Sequence, residues 1–445
     1  MVFALFAVAI MATSDVHCAL VDRETAASNS VIGYIPSLWR QTSHADFLQG
    51  TAAGTQVSDD SDSVHLRAHY TDPGVYVLVG GRSTAFYRYN ITSGIWSEMA
   101  PIPAALADGA AMVYDGSAQV YALAGGSSSA LFRYDVLANT WSLFATVPAN
   151  VGKGGDITWD GTYLYVMGGA SGRQVWRLDV ASLTWLQITT VPGATGTGAS
   201  VLYNKGYLYV TKGDGTKTFW RYDLRSGRWA AMANAGGKIG AGSDLIAGPR
   251  GALYVLQGNN GRQLASYDAT VNAWSRLSNL PNAVSYGGGL TYGGSDIIYS
   301  INGNDQRYFH SFNRTLNSWT RLAMVPSAVS DGGCLVYVPP VPIDFPPSGT
   351  LTSATFDSGQ AGTRYVHAFW DRTVQPETLV KIEVRASDSL SEGSPAAEWR
   401  SLGTGTSGAM DDLTGRYVQW RATLTTSDAS MTPELQEVRI YYYHV

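Results

Sequence analysis

Along most of the chain, apolar and polar residues alternate with a period of two, in short runs broken by glycine, proline, asparagine or serine. One pattern recurs six times. An aliphatic-Tyr pair opens it, as at Val75-Tyr76, Val120-Tyr121, Leu164-Tyr165, Leu208-Tyr209, Leu253-Tyr254 and Ile298-Tyr299. Glycine follows, double at Gly80-Gly81, Gly125-Gly126 and Gly168-Gly169 and single at Gly213, Gly258 and Gly303. A second run ends in Tyr-Asp or a variant, as at Tyr134-Asp135, Leu178-Asp179, Tyr222-Asp223 and Tyr267-Asp268. Then comes a tryptophan: Trp96, Trp141, Trp185, Trp229, Trp274 and Trp319, separated by 45, 44, 44, 45 and 45 residues. Runs such as GGDITWDGTY and GGGLTYGGSDI supply a further strand. Each unit thus predicts four short strands with turn residues between them.

A four-stranded repeat of this length predicts a propeller blade, because radial packing leaves only short edges. The glycines fit a strand that turns near a crowded axis, where a Cβ would not fit. The tryptophans fit the widening wedge between blades and read as core. Glycine pair, Tyr-Asp and Trp together resemble the kelch repeat over residues 75–338. A WD-type repeat is the rival, but Trp159-Asp160 is the array's one such pair and falls on a different strand. The first unit lacks its opening strand, and GGCLVYV (332–338) supplies one at the far end. Six blades are therefore expected, with entry and exit side by side.

Outside the array, VPPVPIDFPPSG contains a proline-rich linker, 339–348, expected to be stiff and strand-breaking. Beyond it, 349–445 alternates as an antiparallel, jelly-roll-like β-sandwich. Residues 37–70 read as strands too, and resemble the opening of bacterial and archaeal surface sandwich domains. The resemblance implies that the propeller is inserted into one sandwich made from both flanks. The fold class expected is all-β: a six-bladed kelch-type β-propeller plus a sandwich, after a short apolar or helical N-terminal segment, 1–32. MVFALFAVAIMA is too short to span a bilayer. It reads either as a secretory signal or as a stem loosely similar to type IV pilin-like proteins, able to self-assemble. Both readings place the protein outside the cytoplasm, at the cell surface or beyond it.

Charge divides the chain. The array holds 19 Lys/Arg against 14 Asp/Glu, net +5, and the remainder 11 against 21, net −10. The whole-chain net of −5 gives no reason to expect nucleic acid. Two cysteines, Cys18 and Cys334, are not expected to pair. A kelch propeller beside a sandwich resembles galactose oxidase, which implies a copper site with two imidazoles and a Tyr–Cys crosslink. The array has one histidine, His310, and one cysteine, so that site is not expected. His310 reads as an ordinary hydrogen-bonded strand residue. No sialidase box, Gly-x-Ser-x-Gly or His-Glu-x-x-His occurs. A sialic-acid mutarotase-like propeller remains the enzyme alternative, and no cofactor is expected. Asp59-Asp60-Ser61-Asp62 and Asp411-Asp412 are oxygen clusters of the kind that hold Ca²⁺, but read as solvated turns. Asn90 and Asn313 match glycosylation acceptors, yet stand where Asp makes a turn bond.

Four consecutive blades repeat a cation in the loop after the glycine: Arg173, Lys217, Arg262 and Arg307. Thr84 and Ser129 hold that place in the first two, with Arg82 in the same loop. Lys153 and Lys238 lie in the other loops of that face. A cationic arc is therefore expected on the open face, focusing field on an anionic ligand. The reading is a secreted or surface-displayed, non-enzymatic binding or adhesion protein, with a glycan or partner protein as ligand.

Overall fold

The computed structural model describes residues 36–58, 61–170 and 172–445. Residues 1–32, Cys18 and the Asp59-Asp60 pair lie outside them, with the expectations attached to them. The chain is all-β, with many antiparallel sheets. Its described residues divide into two compact units, 69–343 and a discontinuous one made of the chain before 69 with 344–445.

The 69–343 unit holds six four-stranded antiparallel sheets. Sheet 1 is Cys334–Val338, Gly74–Leu78, Phe86–Asn90 and Ile95–Glu98, so its first strand comes from the far end of the array. Sheets 2 to 6 open with Ala111–Tyr114, Asp156–Trp159, Ser200–Asn204, Asp244–Ala247 and Gly289–Tyr292. Each first strand packs on the next, and that of sheet 6 packs on that of sheet 1.

Two devices hold neighbouring sheets together. The first is a glycine two residues before each first strand: Gly109, Gly154, Gly198, Gly242, Gly287 and Gly332. All have φ between +75° and +84°. A Cβ on Gly242 would lie 1.9 Å from the Ser285 carbonyl oxygen, in the loop leading into the next sheet. The other five meet Gly152, Gly196, Gly240, Ser330 and Ala107 in the same way, and the last contact returns to the loop of sheet 2. Backbone lies directly on backbone there, which a side chain forbids.

The second device is a clamp. Trp274 Nε1 donates to the Ala233 carbonyl of the preceding sheet (2.9 Å), and the Ala233 N–H donates to Asn272 Oδ1 (2.8 Å). Asn139 and Trp141 grip Ala100 identically, as Asn317 and Trp319 grip Ser278. Trp141, Trp274 and Trp319 are thus half-buried and hydrogen-bonded across the seam, rather than plain core. The Tyr-Asp position makes its turn as a side-chain acceptor: Asn90 Oδ1 takes the N–H groups of Thr92 and Ser93, and Asp223 those of Arg225 and Ser226.

The discontinuous unit has two six-stranded antiparallel sheets. Trp370, Ile440 and Val438 of one and Trp420, Val384 and Leu424 of the other share a single core. Two expectations need correction. Residues 37–68 are not all strand, because His44–Leu48 is a short helix. Ser43 and Asp46 form a reciprocal capping box, and Phe47 beneath it is buried in that core. Nor is the proline-rich stretch strand-free. Pro342–Asp344 pairs with His69–Tyr70, and Pro342 opens that strand, where its missing N–H disturbs the ladder least.

The two kinds of left-handed glycine separate clash from strain. Gly242→Ala combines both and is expected to cost at least about 3 kcal/mol. Gly116→Ala, at φ +89° with nothing within 4 Å, is expected to cost about 1 kcal/mol. Urea unfolding of both variants checks this, and equal losses would show that the close approach contributes nothing.

Candidate functional site

The loop after the glycine opens in the same way in every sheet. Its first residue is Gly80, Gly125, Gly169, Gly213, Gly258 or Gly303, all left-handed. Gly80-Gly81-Arg82 continues left-handed for three residues, at φ 67°, 62° and 63°. A Cβ on Gly80 would meet the Asp331 carbonyl oxygen at 2.3 Å, in the loop entering its own sheet. In sheet 3 the glycine in this place is the second of the pair, Gly169, and not Gly168.

In sheets 1 to 4, these loops and those entering the first strands frame an upper cavity of about 720 Å³. Its charged lining is Arg82, Lys153, Asp108, Asp214 and Asp331. Lys153 Nζ lies 3.4 Å from Asp108, and Asp214 Oδ1 accepts the Thr197 N–H at 2.9 Å. Asp331 Oδ1 is buried without a partner. Burial, and then the Asp108 charge, push the Asp331 carboxyl above its ordinary range, opposed by Lys153. The lining therefore mixes donors and acceptors, three carboxylates against two cations.

The loop residues 107–108, 152–153, 196–197 and 330–331 lead directly into 110–113, 155–158, 199–202 and 333–336, which line a second cavity of about 270 Å³. The first strands of all six sheets contribute to it. Their opening residues are Ala111, Asp156, Ser200, Asp244, Gly289 and Cys334. Asp156 takes its own strand's Ile157 N–H on Oδ1 and the Val201 N–H of sheet 4 on Oδ2, both at 2.8 Å. Asp244 does the same with Leu245 (2.7 Å) and Leu290 of sheet 6 (2.8 Å). Thr158 and Thr291 accept from Tyr203 and Tyr337 of the following sheets. Burial pushes Asp244 up to about 6, and burial together with the Asp244 charge holds Asp156 well above the ordinary range. The Cys334 thiol is pushed up by burial and by both carboxyls, so it stays protonated.

The sequence-predicted residues divide. Arg82 lines the upper cavity, whereas Arg173, Lys217, Arg262 and Arg307 do not. Three of these are engaged locally. Arg173 Nε donates to the Val191 carbonyl (2.7 Å), Arg262 Nε to Leu280 (2.6 Å) and Arg307 Nε to Val325 (2.5 Å). The same three residues return a backbone N–H to the arginine's own carbonyl. Pro192, Pro281 and Pro326 follow them, ending the ladder, and the guanidinium supplies the next bond. Lys217 makes the backbone half alone, with Ala235. Lys238 is exposed, and Thr84 accepts the Ile102 N–H. Arg173, Arg262 and Arg307 thus pin the start of the third strand to the end of the fourth, and do not line the cavity. Asp108, Asp214, Asp331, Asp156 and Asp244 were missed. Asp156 and Asp244 had a signal, since each is the one ionisable residue of a short strand, DITW and DLIA.

His310 also needs correction. It is fully buried and neither ring nitrogen has a partner. Its ring lies near Tyr308 and Trp319, at the strand position that Trp176 and Trp220 hold in sheets 3 and 4. Burial, helped by the Arg321 charge, lowers it to about 4. Among the described residues no three His, Cys, Asp or Glu side chains are placed to hold one metal ion. Asp411 and Asp412 are exposed on the strand Ser407–Thr414. No described helix is long and apolar enough to cross a membrane. No protein-family model matches the chain, and no curated protein matches it.

Two outcomes are expected. Arg262→Ala removes a charge-assisted bond to a backbone carbonyl and should cost about 1–2 kcal/mol in denaturant, with Lys217→Ala within about 0.5. Separately, the fold holds His310 neutral while the unfolded chain takes up a proton below its ordinary value of 6.5. That contribution is whole above pH 6.5 and is lost as pH falls toward 4, by about 3 kcal/mol. His310→Phe should flatten the decline over that window, and an unchanged pH profile would show that His310 does not titrate with folding.

Proposed function

We propose that residues 69–343 form a six-bladed kelch-like β-propeller, carried on a jelly-roll-like β-sandwich built from the two flanking segments. The protein is a non-enzymatic binding or adhesion protein, secreted or displayed at the cell surface. Its ligand, a glycan or a segment of a partner protein, docks in the upper cavity at the mouth of the propeller channel.

The cyclic succession of glycine contacts and the first strand of sheet 1 support the propeller. The observation that carries the binding reading is the cavity itself. It is polar, of ligand size, and set on loops whose backbones are held against each other at close range. Lys153, Arg82 and Thr197 offer donors, while Asp108, Asp214 and Asp331 offer acceptors. That alternation matches hydroxyl-rich or zwitterionic surfaces better than a uniformly acidic polymer, reversing the preference that the cationic arc suggested.

A carbohydrate array probed with the full chain, followed by product analysis on every bound sugar, tests the reading. Ser127→Trp, which fills the mouth from a loop position, is expected to weaken binding at least about tenfold with unaltered folding. Release of a modified sugar would replace the binding reading with a carbohydrate-active enzyme. Binding that Ser127→Trp leaves intact would place the ligand elsewhere.

A further inference from the structure

The lower cavity carries chemistry that the mouth reading does not use. Its floor and walls are the first strands, mostly apolar: Val113, Ile246 and Val336 beside Thr158 and Thr291. Into this surface the fold sets two carboxyls, Asp156 on sheet 3 and Asp244 on sheet 5. Sheet 4, between them, contributes Ser200 at the same strand position. Ser200 is 3% exposed and lines the cavity, and its hydroxyl has no hydrogen-bond partner. The neighbouring place in sheet 6 is Gly289, where a Cβ would come within 3.4 Å of Asp244 Oδ2.

Each carboxyl oxygen accepts one backbone N–H, which fixes its orientation and leaves its second lone pair free. No Lys or Arg lines the cavity. A negative site in low dielectric, with an open hydroxyl between its two poles, attracts a small cation strongly.

We propose that the Asp156–Ser200–Asp244 arc binds the ammonium group of a small alkylammonium ligand, entering from the mouth. A primary ammonium has three N–H donors, and the arc has three acceptors, one on each of three successive sheets. Its alkyl tail packs along Val113, Ile246 and Val336. Burial raises both carboxyls, and the Asp244 charge raises Asp156 further, so the arc suits a monocation better than a divalent metal. The site stands independently of the ligand at the mouth.

The test uses the full chain with n-propylammonium chloride in titration calorimetry, and potassium and calcium chloride as parallel probes. One-to-one binding of n-propylammonium is expected. Asp156→Asn and Asp244→Asn should each weaken it about tenfold, and Ser200→Ala about threefold. These asparagine variants should fold at neutral pH. Each asparagine is relieved of the buried charge but turns an NH2 against one of the two backbone N–H groups, so thermal melting at pH 7 accompanies the titrations, and Ser200→Ala is the variant that removes no backbone bond. Absence of n-propylammonium binding to the wild type overturns the proposal. So does binding that survives the double Asp156→Asn/Asp244→Asn variant, or a calorimetric signal with calcium alone.

Discussion

Backbone laid directly on backbone, between each sheet and the next, is the constraint on which the 69–343 unit depends. Gly109, Gly154, Gly198, Gly242, Gly287 and Gly332 permit it, each left-handed and each against a carbonyl of the following loop. A contact that short cannot be widened by a rotamer change, since no side chain is involved. It therefore fixes the spacing of the first strands, and through them the width of the lower cavity. The upper loops inherit the same rigidity from Gly80 and its five counterparts, which close on the loops entering their own sheets. Site geometry here is a property of main chain, with side chains added to it.

That division explains what could be read from the chain beforehand. The period, the four strands per unit and the need for a strand from 332–338 all follow from alternation and spacing, which local sequence carries. The glycine pair and its lack of room for a Cβ were visible, but which member of the pair meets the backbone was not. In sheet 3 the glycine against the backbone is Gly169, and the pair's first member is in ordinary conformation. The Asn-x-Trp grip on Ala100, Ala233 and Ser278 joins residues about forty positions apart, beyond the reach of any local pattern.

The repeated cations have a local structural reason. Arg173, Arg262 and Arg307 recur because the proline after their partner carbonyl ends a ladder, so repetition there records a local backbone need. The carboxyls that shape the cavities recur only partly, in two first strands of six. An irregular feature within a regular array is harder to find by periodicity, yet it departs from what the scaffold alone requires. Asp156 and Asp244 show both sides: they cap free strand edges, and they place ionisable carboxyls where apolar side chains would serve packing equally well.

The first strand of sheet 1 has a consequence during synthesis. Gly74–Leu78, buried along its whole length in the finished fold, emerges from the ribosome early, but its partner Cys334–Val338 is made only after residues 99–333. At about 5–20 residues per second the wait is roughly 12 to 50 seconds. Throughout it an apolar strand edge faces the cell's other nascent chains, while sheets 2 to 6 are made in order. The last strand therefore acts as a timing element: slow translation or premature termination downstream leaves a long-lived, adhesive intermediate, and rapid completion of the chain is what protects its beginning.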